Sequence, residues 1–192
     1  MPNAEPANGV HAISPVPWDA VFGTDRPVDI EIGPGRGETL LAAAAAAPDR
    51  SFFGIEYRRG RTESILARAS ARGLTNVRVI AGDARCVITH LVPPASVHAY
   101  HIYFPDPWPK TRHRRRRLFE ADFAIALLRS LMRGGSVHVA TDLSPLLAAM
   151  TKALAASGLV HDERAIPPTR PITRYERRYA RGATYYARFF RP

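Results

Sequence analysis

The sequence predicts an α/β fold: a doubly wound, mostly parallel sheet of seven strands with helices on both faces. Three observations carry that expectation. Short apolar runs alternate with helix-length amphipathic runs from Val28 onward. Glycines punctuate the change from one run to the next. The 192 residues, 46% hydrophobic and 23% charged, suffice for one domain with a substantial core.

The elements follow in order. Residues 1–26 contain Pro and Ala without periodicity and are expected as a loose arm, with Val16, Trp18, Val21 and Phe22 available to dock on the body. Residues 27–192 are expected as a single domain. Val28–Ile32 is a short apolar strand, and Glu38–Ala47 a helix stopped by Pro48. Phe52–Glu56 is a second strand, followed by a helix over Gly60–Arg72 that ends at Gly73. Val77–Ile80 and Val97–Phe104 are strands, and Val87, Ile88 and Leu91 mark the apolar face of a helix between them. Leu118–Met132 is an amphipathic helix closed by Gly134-Gly135; Phe119, Phe123, Leu127 and Leu131 form its core stripe. Ser136–Ala140 is a strand, and Pro145–Ala156 a helix ending near Gly158. Leu159–Arg164 and Thr184–Phe190 are strand-like.

Ligands of such sheets bind beyond the carboxyl ends of the strands, and the unusual residues fall at those ends. Glu31-Ile32-Gly33-Pro34-Gly35-Arg36-Gly37 ends the first strand. Gly33, Gly35 and Gly37 let the backbone turn tightly and a ligand approach closely. Glu38 stands where a dinucleotide fingerprint needs its third glycine. The Glu31 carboxylate repels a pyrophosphate but attracts a sulfonium or an ammonium group. Glu56 ends the second strand and suits the two hydroxyls of a ribose. Asp83, with Ala84 after it, follows the third strand and can accept an adenine amino group. Three acids around a glycine turn fit adenosine joined to a zwitterionic amino acid better than a phosphorylated cofactor.

Asp106 lies between Pro105 and Pro107, which restrict the backbone around its carboxylate. Trp108 beside it offers a flat apolar face. Six of the eight residues from Lys110 to Arg117 are Lys or Arg, and Arg170 to Arg191 carries seven more. The formal charge is +10. A GC-rich genome explains arginine over lysine, but not this clustering, which favours a nucleic-acid partner. The lone Cys86 excludes an intrachain disulfide framework and a cysteine-based zinc site. No segment reaches the ~20 apolar residues of a membrane span, and no secretory signal opens the chain, so a cytoplasmic protein is expected. No metal site is expected, since the histidines lack ligand spacing.

Taken in order, Glu31-Ile32-Gly33, Gly54-Ile55-Glu56, Phe104-Pro105-Asp106-Pro107-Trp108 with Lys110 and Arg112-His113, Ala140-Thr141-Asp142, and Thr173-Arg174-Tyr175-Glu176 with Arg177 resemble the tRNA (guanine-N7)-methyltransferase family. The resemblance implies a Rossmann-like fold and methyl transfer from S-adenosylmethionine to N7 of the variable-loop guanine of tRNA. Carried over by position, it implies that Glu31, Gly33, Gly35, Gly37, Glu56, Asp83 and Ala84 bind the cofactor, with Asp106 as the catalytic-site acid beside it. Lys110, Asp142, Thr173, Arg174, Tyr175 and Glu176 would contact substrate, and Arg112, His113, Arg114, Arg115, Arg116 and Arg117 would bind tRNA. Guanine N7 already holds an in-plane lone pair, so Asp106 need not act as a base; it orients the base or stabilises developing positive charge. Asp142 and Glu176 can share the guanine N1–H and N2–H donors. The target base must leave its stack to be reached. The alternatives are a methyltransferase of the same build acting on another RNA guanine, and a non-catalytic RNA-binding protein on the same fold. A nicotinamide-dependent dehydrogenase is the weakest, for want of the third glycine. A monomer or weak homodimer is expected.

Overall fold

A computed structural model describes residues 14–107, 118–179 and 182–192. The elements are α1 (Trp18–Phe22), β1 (Val28–Ile32), α2 (Glu38–Ala46), β2 (Ser51–Glu56), α3 (Arg59–Ala71), β3 (Val77–Ala81), α4 (Ala84–His90), β4 (Val97–Tyr103), α5 (Ala121–Ser130), β5 (Leu131–Thr141), α6 (Ser144–Ala156), β6 (Val160–His161), α7 (Arg174–Tyr179) and β7 (Tyr185–Phe190). One seven-stranded sheet runs in the order β3-β2-β1-β4-β5-β7-β6. The neighbours from β3 to β5 are parallel, and β7 is antiparallel to both β5 and β6. The chain crosses from β3 on one flank of β1 to β4 on the other. That reversal opens a crevice at the carboxyl ends of β1 and β4.

Side-chain alternation divides the core. Phe52 faces α2 and α3 with Leu40, Leu41, Ile65, Val77 and Val79. Phe53, its neighbour, faces the opposite layer with Ile30, Tyr100, Val139 and residues of α4, α5 and α6. β1 and β2 are buried along their whole length, as strands inside a parallel sheet are. Among the described residues, no helix is long and apolar enough to cross a membrane.

The differences from the sequence expectation have physical causes. Within residues 14–26, α1 forms and docks through residues the sequence had marked. Trp18 Nε1 donates to Ser96 Oγ at 3.0 Å, and its ring meets Phe53 edge-on at 5.2 Å. The helix expected over 118–132 is α5, which stops at Ser130, because Leu131 is fully buried and pairs with Val97 as the start of β5. Gly134-Gly135 therefore lies inside the strand. A Cβ on Gly135 would sit 2.9 Å from the Met132 carbonyl oxygen and 3.0 Å from that of His98, so only glycine lets the backbones pass so closely. The strand expected over 159–164 shortens to β6, and α7 was not anticipated.

Candidate active site

The glycine turn is shaped by the second-strand acid. Gly33, Gly35 and Gly37 all have positive φ, at 70°, 59° and 71°. A side chain on Gly37 would also meet Ile65 at 2.9 Å. Glu56 is 3% exposed. One of its oxygens accepts the Gly35 N–H at 3.0 Å and the other the Arg58 N–H at 3.0 Å. The carboxylate thus ties the turn to the start of α3. The Gly82 N–H donates to the Glu56 carbonyl at 3.0 Å, which brings the end of β3 alongside. Asp83 caps α4 by accepting the Arg85 N–H at 2.9 Å. Hydrogen bonding to the Arg85 side chain keeps the Asp83 carboxyl below the usual range. Ala84 is the first residue of that helix.

Glu31 points into a different environment. It is 6% exposed, and burial pushes its carboxyl up to about 8, against the pull of the Arg170 guanidinium and a Leu40 backbone hydrogen bond. A cavity of about 80 Å³ beside it is lined by Asp29, Thr39, His101, Tyr103 and Arg170 among others. The Thr39 hydroxyl is buried there without a hydrogen-bond partner.

At the end of β4 the chain turns sharply at Phe104, whose φ of +52° is in the left-handed region that residues other than glycine avoid. Its N–H donates to the Ala140 carbonyl at 2.8 Å. Asp106 follows two residues later and is exposed. Asp142, half-buried, follows β5. The ring of Phe104 meets that of Tyr175 at 5.4 Å.

Thr173-Arg174-Tyr175-Glu176 forms a capping box at the start of α7. The Thr173 N–H donates to Glu176 Oε2 at 2.9 Å, and the Glu176 N–H donates back to Thr173 Oγ1 at 3.2 Å. Arg170 completes the arrangement with a two-pronged pair to Glu176 at 2.7 and 2.8 Å. Its guanidinium also lies over Tyr103 at 4.6 Å and Phe104 at 5.6 Å. Glu38 holds α7 from below, accepting from the Arg174 N–H at 2.8 Å and the Arg177 guanidinium at 3.3 Å. Glu176 therefore already accepts from Arg170 and Thr173.

The structure gathers Glu31, Gly33, Gly35, Gly37, Glu56, Asp83 and Ala84 at the ends of β1, β2 and β3. Thr173–Glu176 approaches from the C-terminal side, beside the turn leading to Asp106. Trp108, Lys110, Arg112, His113 and Arg114–Arg117 lie outside the described residues. From the sequence, Glu38 stood out only as the residue in place of a third glycine and Arg170 only as one of a basic run; their contacts with α7 were not foreseen. The signal available was the T-x-x-E spacing, which announces a helix start and an acid in need of donors.

On the same sheet face, buried Asp29 accepts from Arg50, His98 (3.1 Å) and His101 (3.2 Å). Burial raises its pKa, but hydrogen bonds from His101 and His98 outweigh that and hold it well below the carboxylate range. His101 stacks on His138 at 4.9 Å. Burial, with repulsion from His101 and Arg188, pushes His138 down to about 3, so it is neutral.

Comparison with known proteins adds four findings. The family described as "Putative methyltransferase" matches residues 25–187. The tRNA (guanine-N(7)-)-methyltransferase of Nitrosomonas eutropha is 38% identical over 169 residues, 86% of this chain and 75% of that protein. The enzyme of the same description from Pseudomonas fluorescens SBW25 is 40% identical over 173 residues, 87% of this chain and 72% of that one. Among solved structures, the fold is like that of the 16S rRNA methyltransferase KamB, with a TM-score of 0.66 at 17% identity over 91% of this chain and 93% of that one.

Proposed function

The chain belongs to the tRNA (guanine-N7)-methyltransferase family, and from that premise we propose that it methylates N7 of the variable-loop guanine of tRNA. It is an S-adenosylmethionine-dependent enzyme that methylates guanine N7 in tRNA. The observation that carries the reading is that buried Glu56 holds the glycine turn that follows buried Glu31, with the Phe104–Asp106 turn and α7 beside it.

The residues fit that cofactor. Glu31 is a buried acid that gains from a nearby cation, and the Thr39 hydroxyl lacks a partner in the same cavity. Glu56 retains acceptor capacity for ribose hydroxyls after its two backbone bonds. Glu31, Gly33, Gly35, Gly37, Glu56, Asp83 and Ala84 would hold S-adenosylmethionine, which supplies an electrophilic methyl group on a sulfonium. No proton leaves guanine before N7 attacks, so the protein has only to place the base and stabilise charge. Asp106, exposed at the crevice, carries the negative charge suited to a base that becomes cationic. The left-handed turn at Phe104 fixes where that acid emerges. Asp142 faces the guanine donor edge, and Lys110 with Arg112–Arg117 binds tRNA phosphates. A tRNA substrate fits a cytoplasmic enzyme.

The test is transfer of labelled methyl from S-adenosylmethionine to unmodified tRNA, beside the same tRNA with its variable-loop guanine changed to adenine. Label on the first alone, with chain cleavage at that guanine after mild reduction and aniline, is expected. Label on both would move the target to another position. Label on neither, with no cofactor binding, would leave an RNA-binding protein on this fold.

A further inference from the structure

We infer that Tyr57, Arg58, Arg59 and Arg61, with Arg36 from the glycine turn, form a second tRNA-contact surface on the β2 side of the crevice. The inference rests on the tRNA-methylation reading and extends it to residues that reading does not use. Three of the five residues from Tyr57 to Arg61 are arginines. They open α3, with Arg58 at its N-cap and Arg59 and Arg61 in its first turn, where no acid is present. A helix N-terminus carries partial positive charge, so cations there oppose folding. Helix formation therefore does not account for this choice of residues.

Their placement suits a polyanion. One carboxylate, Glu56, binds the backbone N–H groups of both Gly35 and Arg58 at 3.0 Å, so the loops bearing Arg36 and Tyr57–Arg58 leave from the same point. Neutralisation is incomplete. Arg59 pairs with Glu63 at 3.0 Å, and Arg61 reaches Glu56 only at 3.8 Å. Arg36 and Arg58 are exposed, and among the described residues no carboxylate pairs with either. Tyr57 is 80% exposed, an aromatic ring standing in water between the buried acid and the arginines. An exposed ring beside guanidinium groups is the pairing that holds unstacked bases and their phosphates. β2 and β4 flank β1 on opposite sides. α7 meets the β4 side, so an RNA delivering a base to the crevice would be held from both rims.

The experiment uses the full chain with Arg36→Gln/Arg58→Gln and, separately, Tyr57→Ala. It measures tRNA affinity between about 50 and 300 mM salt, KM for tRNA, and S-adenosylmethionine affinity by calorimetry. The double variant should bind tRNA about tenfold more weakly and lower the slope of log K against log salt by roughly 1–2, about one for each lost phosphate contact. Cofactor affinity should hold, which also shows the variant folded. Unchanged tRNA affinity and slope in a cofactor-binding variant would overturn the surface. So would a Tyr57→Ala variant whose only loss is in cofactor affinity, because that assigns the ring to the cofactor. The wild type serves as control. If it does not methylate tRNA, the functional reading fails and takes the surface with it; if it does, an unaltered variant sinks the surface alone.

Discussion

Glu31 sets binding against stability within one side chain. Its carboxyl titrates near 4.5 when free and near 8 when folded, because burial disfavours the anion. A carboxyl whose folded value is raised favours the folded state below its unfolded value and loses that contribution as pH climbs to the folded value. Between about 4.5 and 8, stability should therefore fall by up to about 1.4 kcal/mol per pH unit on this account. Glu31→Gln removes the titration while keeping the shape. The variant should melt higher than wild type at pH 8, by a margin that shrinks as pH approaches 5, and should lose S-adenosylmethionine binding. Melting curves from pH 5 to 9 decide it: a pH-independent difference would mean that Glu31 is already ionised in the free protein. The acid itself was legible in the sequence, since its place before a glycine turn marks it. Its burial against Arg170 was not, because 139 residues separate them and only the fold brings them together.

Elements with their own periodicity were legible, and those made by tertiary context were not. β1 to β4 and α2 to α4 fall close to their expected places because apolar runs and glycine stops define them locally. Leu131 and Met132 extend the apolar stripe of α5, yet pairing with Val97 takes them into β5. α7 has no apolar stripe in Arg174–Tyr179; what orders it is polar, the capping box, Glu38 below and Arg170 beside it. Arg170→Met tests that dependence. It leaves Glu176, largely buried, without its two charged donors, at a cost of about 2 kcal/mol. Loosening α7 should raise KM for tRNA about tenfold. Losing the Arg170 charge should also raise the Glu31 carboxyl further, so cofactor affinity drops at neutral pH and recovers as pH rises. Arg170→Lys should retain cofactor affinity but not KM for tRNA, since a point charge cannot reproduce the fork. A uniform loss at every pH in Arg170→Met would leave Arg170 a packing residue.

Across the whole molecule, charge was the quantity most directly read from the sequence, and the polar sheet face the least. Asp29, His98, His101 and His138 show no mutual spacing in the sequence. The register that sets Glu31 beside His101, and His101 beside His138, assembles them on one face. The +10 charge, by contrast, needs no fold to be counted. It acts on the free protein as self-repulsion and on tRNA as attraction, and salt screens both. Added salt should thus have opposite effects on the two. From about 50 to 300 mM sodium chloride, the melting temperature of the free enzyme should rise by a few degrees, because like charges at the arginine-rich crevice are screened. Over the same range tRNA affinity should fall steeply, by roughly tenfold for every one to two phosphate contacts formed. Saturating tRNA at low salt should recover the lost stability, since binding the folded state alone stabilises it. A melting temperature that falls with salt would mean that pairs such as Arg188–Asp162 and Arg170–Glu176 outweigh the net repulsion. The basic surface would then be balanced within the fold before tRNA arrives.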